Sequence, residues 1–133
     1  MIIADTNLIA YLLIRGQKTA EAEAVFRKDP QWGAPRLWRS EFRNVLVLSL
    51  RGKLIGIDEA FEALERAERL MAGQEFEVQS SHVLQLAATS GCTAYDCEFV
   101  ALAQNLGVPL VTSGRELIAK FKPAVVSMAA FCS

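Results

Sequence analysis

Short, continuously apolar runs alternate along this chain with longer segments whose apolar residues recur every three or four positions. The first run lies in Met1–Asn7 (MIIADTN), where Ile2, Ile3 and Ala4 lead into Asp5 without polar alternation. That pattern predicts a strand buried on both faces, as in a parallel sheet. Thr6–Ile14 is helical in length and apolar nearly all round, so it predicts a helix covered on several sides, ended by Gly16. Lys18–Lys28 predicts a second helix, with Ala22, Val25 and Phe26 on one face, stopped by Asp29 and Pro30. Gln31–Ala34 predicts a short edge strand, and Pro35 stands where the next helix begins.

In Arg36–Arg51, Leu37, Glu41, Val45 and Leu48 fall at helical spacing on one face, and Gly52 closes the helix. Asp58 is expected to cap a helix running to Ala72, whose inner face carries Ala60, Ala63, Leu64, Ala67 and Met71. Phe76–Val78 predicts a strand. Ser80 or Ser81 then caps a helix bearing Val83, Leu84 and Ala87 and ending at Gly91. Thr93 suits the N-cap of a helix that ends at Gly107, with Asp96, Val100 and Ala103 on one face. Leu110–Thr112 predicts a strand, Arg115–Lys120 a brief helix and Ala124–Ser127 a last strand. Strands alternating with helices at this spacing predict one domain over residues 1–133, a three-layer α/β fold with a mostly parallel sheet.

Composition narrows the chemistry. An apolar content of 52% and a mean hydropathy of +0.23 exclude disorder. No run reaches membrane-spanning length and no leader pattern is present, so a cytoplasmic protein with no membrane partner is expected. The formal charge of −1 gives no global basic field, so a nucleic-acid enzyme of this sequence has to place its positive charge locally. Cys92, Cys97 and Cys132 lack metal-knuckle spacing and predict reduced core thiols. His82, the single histidine, is expected near a helix start without a catalytic task.

The informative polar residues are acids. Asp5 stands at the carboxyl end of the first strand, where open parallel sheets bind ligands, and it equally suits the cap of the helix that follows. Glu41 interrupts an apolar stripe, so it either lines a cavity or meets a cation, or pairs with Arg39 or Arg43 at the stripe's margin. Asp96 is a candidate acid or half of a capping box with Thr93. Three acids in three separate α/β units, without a usable histidine, suit a hard cation held through oxygen. Carboxylates about 5 Å apart repel by roughly 3 kcal/mol at an effective dielectric near 20, a conflict that Mg²⁺ or Mn²⁺ removes. Such an ion also activates water for phosphodiester hydrolysis. A haloacid-dehalogenase-like phosphatase fits poorly, because that chemistry wants a second acid where Asn7 stands.

Four segments carry a family resemblance: DTNLIAYLL from Asp5, APRLWRSEFRNVL around Glu41, AYDCEFVALAQNLGVPLVT around Asp96, and the SGREL that follows. Together they resemble the PIN domain, and within it the VapC-type toxins of toxin-antitoxin pairs. The resemblance implies a five-stranded, mostly parallel sheet with helices on both faces and a Mg²⁺- or Mn²⁺-dependent endoribonuclease site above its carboxyl edge, with Asp5, Glu41 and Asp96 as catalytic and metal-binding acids. It further implies supporting roles for Asn7 and Thr112, an RNA substrate, a small antitoxin partner and a homodimer.

One position departs from the family. Where the pattern has a Thr, one variable residue and an acid, this chain reads Thr112, Ser113, Gly114. Loss of the fourth carboxylate predicts a weak second metal site and reduced activity, with Ser113 still able to hold a water. The competing expectation is a catalytically weakened PIN-like module that binds RNA or an antitoxin. Candidate phosphate contacts are Arg115, directly after the crevice strand, and Arg36, Arg39 and Arg43 interleaved with Trp38. The alternative for the latter group is a solvated helix face with Leu37 or Trp38 in a dimer interface.

Overall fold

The computed structural model describes residues 1–133. Its five strands are β1 (Ile2–Ala4), β2 (Trp32–Pro35), β3 (Glu75–Phe76), β4 (Leu110–Val111) and β5 (Val125–Val126). They form one sheet in the order β3-β2-β1-β4-β5, and every pairing is parallel. The chain therefore builds outward from β1 to β2 and β3, then crosses back to lay β4 and β5 on the other side. The seam between β1 and β4 is the switch in strand order, the place where such sheets open a crevice at their carboxyl ends. Ile2, Ile3 and Ala4 are completely buried, as their unalternating pattern requires.

The helices are α1 (Thr6–Leu13), α2 (Thr19–Lys28), α3 (Leu37–Arg51), α4 (Ile57–Met71), α5 (Ser80–Ser90), α6 (Ala94–Leu106), α7 (Arg115–Lys120) and α8 (Met128–Cys132). They divide into two groups: α6 packs on β1, β2 and β4 and carries α5, whereas α1 joins α2, α3 and α4, and α2 carries α8. The result is the three-layer α/β architecture expected, and α8 is an element that the hydrophobic pattern did not reveal.

Several local expectations are corrected. β2 lies between β1 and β3 and is not an edge strand; its four residues are all buried, and Pro35 ends it instead of opening a helix. Phe76 belongs to a strand that starts at Glu75. Helix α4 is capped at Gly56, whose N–H donates to Glu59 Oε1 at 3.2 Å, so Asp58 sits within the first turn and is not the cap. Helix α5 has Gln79 at its N-cap without any side-chain hydrogen bond, and Leu84 faces solvent. Cys92 and Cys97 are buried thiols but Cys132 is exposed. His82 lies in the first turn of α5 and its Nε2 meets Gln104 Oε1 at 2.8 Å.

Helix α3 carries two apolar faces. Its core face is Trp38, Phe42 and Leu46, one position along from the predicted stripe. Leu37, Glu41 and Val45 instead form the wall of a cleft, and Leu48 is 58% exposed beyond it. Trp38 is fully buried, so it is available neither for base stacking nor for a dimer interface. Its indole N–H and the Arg39 guanidinium both donate to Glu75, and Arg39 also reaches Glu68.

Candidate active site

A cleft of about 450 Å³ opens at the β1–β4 seam, lined by twelve residues that include Asp5, Asn7, Glu41 and Asp96. None of the twelve is Lys, Arg or His. The three acids arrive from the end of β1, from the middle of α3 and from the first turn of α6.

Asp5 satisfies both of its sequence readings at once. Its Oδ1 accepts the N–H groups of Asn7 and Leu8, at 2.6 and 3.2 Å, which caps α1. Its Oδ2 accepts the hydroxyl of Thr112, the residue that follows β4. The carboxylate is thus tied to both strands of the seam. Burial pushes its pKa up; the Thr112 hydroxyl and the two N–H groups oppose that shift, and the negative charge of Asp96 adds to it.

Glu41 makes no pair with Arg39 or Arg43. Its Oε1 accepts the hydroxyl of Thr6 at 2.7 Å, which links α3 to the first residue of α1. Burial also raises its pKa, and the charges of Asp5, Asp96 and Glu98 raise it further against the Thr6 hydrogen bond. Asp96 is exposed at the cleft wall. Its backbone N–H donates to Thr93 Oγ1 at 3.0 Å, but the reciprocal half of a capping box is absent, so helix capping does not occupy the carboxylate.

The remaining predicted residues divide. Thr112 is completely buried, and its Oγ1 also accepts the Gly114 N–H at 3.0 Å. Ser113 lies outside the cleft lining and its Oγ meets the Tyr11 hydroxyl at 3.3 Å. Arg115 is exposed on α7 and does not line the cleft. Gly114 caps α7 at φ −74°, a conformation open to any residue, and a Cβ built on it meets nothing nearer than Thr112 Oγ1 at 3.4 Å. Neither backbone nor space demands glycine there.

The sequence reading missed Thr6, Ser40, Asn44 and Tyr95, which line the cleft, and Glu98, whose charge acts on Glu41. Ser40 and Asn44 were detectable, since they lie one position before and three after Glu41 on the same side of α3. Thr6 and Tyr95 carried no such signal, because what brings them to the cleft is strand order and helix placement.

The donor set is all oxygen and bears uncompensated negative charge, which suits a hard divalent cation. No three acidic, histidine or cysteine side chains converge closely enough in this arrangement to hold one ion together. Mg²⁺ retains several waters and takes only one or two carboxylates directly, so the acids still fit it.

The PIN domain family model matches residues 2–122. Ribonuclease VapC3 of Pyrobaculum aerophilum is 31% identical over 131 residues, covering 95% of this chain and 98% of that protein. The crystal structure of PAE2754 from Pyrobaculum aerophilum superposes with a TM-score of 0.73 at 23% identity, over 98% of this chain and 85% of that one. FitAcB from Neisseria gonorrhoeae superposes with a TM-score of 0.72 at 20% identity, over 97% and 99%. The two structures share the fold.

Proposed function

The chain belongs to the PIN domain family, and from that premise we propose that it is a Mg²⁺- or Mn²⁺-dependent endoribonuclease of the VapC toxin type. The observation that carries this reading is the meeting of Asp5, Glu41 and Asp96 in one cleft whose lining contains no basic residue. Asp5, Glu41 and Asp96 are the residues that would face the ion, one or two of them as direct ligands and the rest through its waters. When bound there, it supplies charge neutralisation and an activated water for phosphodiester hydrolysis.

The chain's own residues prepare that chemistry. Asp5 is oriented before substrate arrives by two backbone N–H groups and the buried Thr112 hydroxyl. Thr6 keeps Glu41 turned inward from α3. Asn7 lines the cleft beside Asp5, and the exposed ring of Tyr95 stands next to Asp96, where it can stack on an unpaired base. A small antitoxin protein and a second copy of the chain are the partners this reading implies, and no helix is long and apolar enough to cross a membrane.

Gly114 favours a second reading, a PIN-like module weakened in catalysis that binds RNA or an antitoxin, because the position following Ser113 offers no carboxylate to the cleft. One experiment separates the two: cleavage of a panel of structured RNAs with Mn²⁺ or with EDTA, by the parent, Asp96→Asn and Gly114→Asp. Manganese-dependent cutting that disappears in Asp96→Asn is the expected result. Activity confined to Gly114→Asp establishes the second reading, and no cutting by either sinks the nuclease assignment.

A further inference from the structure

The catalytic cleft contains no positive charge, yet an RNA strand brings a phosphate at every nucleotide. The cations needed to hold it lie next door. A second cavity of about 380 Å³ shares Asn7 and Val45 with the cleft as a common wall and continues past Tyr11 to the turn Arg15–Lys18 between α1 and α2. Arg15, Gln17 and Lys18 line it.

This turn is held in place by the chain beneath it. Thr19 is buried, and its hydroxyl oxygen accepts the Gly16 N–H at 2.9 Å while donating to the Tyr11 carbonyl at 2.8 Å. Lys18 Nζ rests 5.3 Å from the centre of the Tyr11 ring, and the Tyr11 hydroxyl is anchored in turn on Ser113. Neither Arg15 nor Lys18 takes part in any of the five ion pairs of the molecule, whereas Arg39 is engaged by Glu75 and Glu68. Two unpaired cations on a pinned turn, lining a cavity that borders the cleft of the acids, have the charge that the cleft lacks.

We propose that the Arg15–Lys18 turn is the phosphate-binding extension of the active site, holding the backbone of single-stranded RNA on one side of the scissile bond. Lys18 meets a phosphate from its place against Tyr11, and Arg15 meets a neighbouring phosphate. A concave cavity of this size suits a single strand, whose bases are free to stack. The inference rests on the ribonuclease reading and adds to it where substrate enters or leaves.

The test is binding of a fluorescently labelled, short single-stranded RNA in EDTA by the full chain, against the double variant Arg15→Gln/Lys18→Gln and the charge-retaining Lys18→Arg. Loss of two phosphate contacts is expected to weaken binding on the order of tenfold and to flatten the salt dependence of log K by about 1.4, from about 0.7 per contact on a single strand. Lys18→Arg should bind like the parent, and the Mn²⁺-induced rise in Tm should be the same in all three proteins, because the acids are untouched. A parent that cuts RNA with Mn²⁺ while the double variant binds as tightly as the parent overturns this inference alone. A parent that neither binds nor cuts RNA overturns it together with the ribonuclease reading.

Discussion

Thr112 donates its hydroxyl hydrogen to Asp5 Oδ2, joining residues 107 positions apart across the seam between β1 and β4. The same Thr112 oxygen accepts the Gly114 N–H, so one buried side chain aligns a carboxylate and fixes the start of α7. Thr112→Val keeps the shape and removes both hydrogen bonds. It should cost about 1–3 kcal/mol of stability, the usual penalty for leaving buried polar partners unmet, and shrink the Mn²⁺-induced rise in Tm. Urea unfolding with and without Mn²⁺ checks this; a variant as stable as the parent and equally responsive to the ion removes Thr112 from the site.

Glu41 and Asp5 give the metal-free protein a pH dependence of definite sign. Both carboxyls have pKa values raised in the fold, chiefly by burial, so between their ordinary values of 4.5 and 3.8 and their raised ones the folded chain binds more protons than the unfolded chain. Their contribution to stability is therefore present at low pH and is lost as pH rises through the raised values. Glu41→Gln retains an acceptor for the Thr6 hydroxyl and removes the charge. Without metal it should raise stability at neutral pH by on the order of 1 kcal/mol, about 4 °C in a domain of this size, and leave Tm near pH 4 unchanged. Equal effects at both pH values in a thermal scan would show that charge is not the cause.

Gly114→Asp tests the missing carboxylate directly. The backbone at φ −74° and the 3.4 Å clearance accept an aspartate, and as the N-cap of α7 it gains only a few tenths of a kcal/mol over glycine. Repulsion from any cleft acid that the new carboxylate approaches to about 5 Å, roughly 3 kcal/mol at an effective dielectric near 20, outweighs that gain. The variant should melt below the parent without metal and show the larger rise with Mn²⁺. An apo Tm equal to or above the parent's contradicts the electrostatic account of the cleft.

The parts of this fold that the sequence revealed are those encoded within a few residues. Unalternating Ile2–Ala4 marked a doubly covered strand, and Thr93 three residues before Asp96 marked the start of α6. Asp5 and Glu41 stood out because each is a polar exception in an apolar setting. Where three-dimensional order decides, the local pattern misled. β2 looked like an edge because it is short, but β3 covers its other side. On α3 the stripe through Glu41 lines the crevice, as its polar exception implies, but a helix beside a crevice has two apolar faces, and the pattern does not single out the deeper one, Trp38, Phe42 and Leu46. The hydrogen bonds Thr6–Glu41 and Thr112–Asp5 join distant segments, and no spacing along the chain announces them.

Arg39 shows how that distinction separates stability from binding. Its guanidinium takes Glu75 through two nitrogens, at 2.6 and 3.0 Å, and the Trp38 indole adds a third donor at 2.7 Å, which ties α3 to the edge strand β3. Those hydrogen bonds hold the Glu75 carboxyl below the ordinary value of 4.5, so its stabilisation is present above that pH and is lost as pH falls through the lowered value. The Arg39 side chain remains 37% exposed, which limits the worth of the pair to about 1 kcal/mol. Arg39→Ala should therefore lower Tm by about 4 °C at neutral pH, with the difference shrinking in acid, and leave RNA affinity unchanged. Lost affinity with unchanged Tm would instead assign this arginine to RNA, as its position beside Glu41 in α3 suggests before the fold is known.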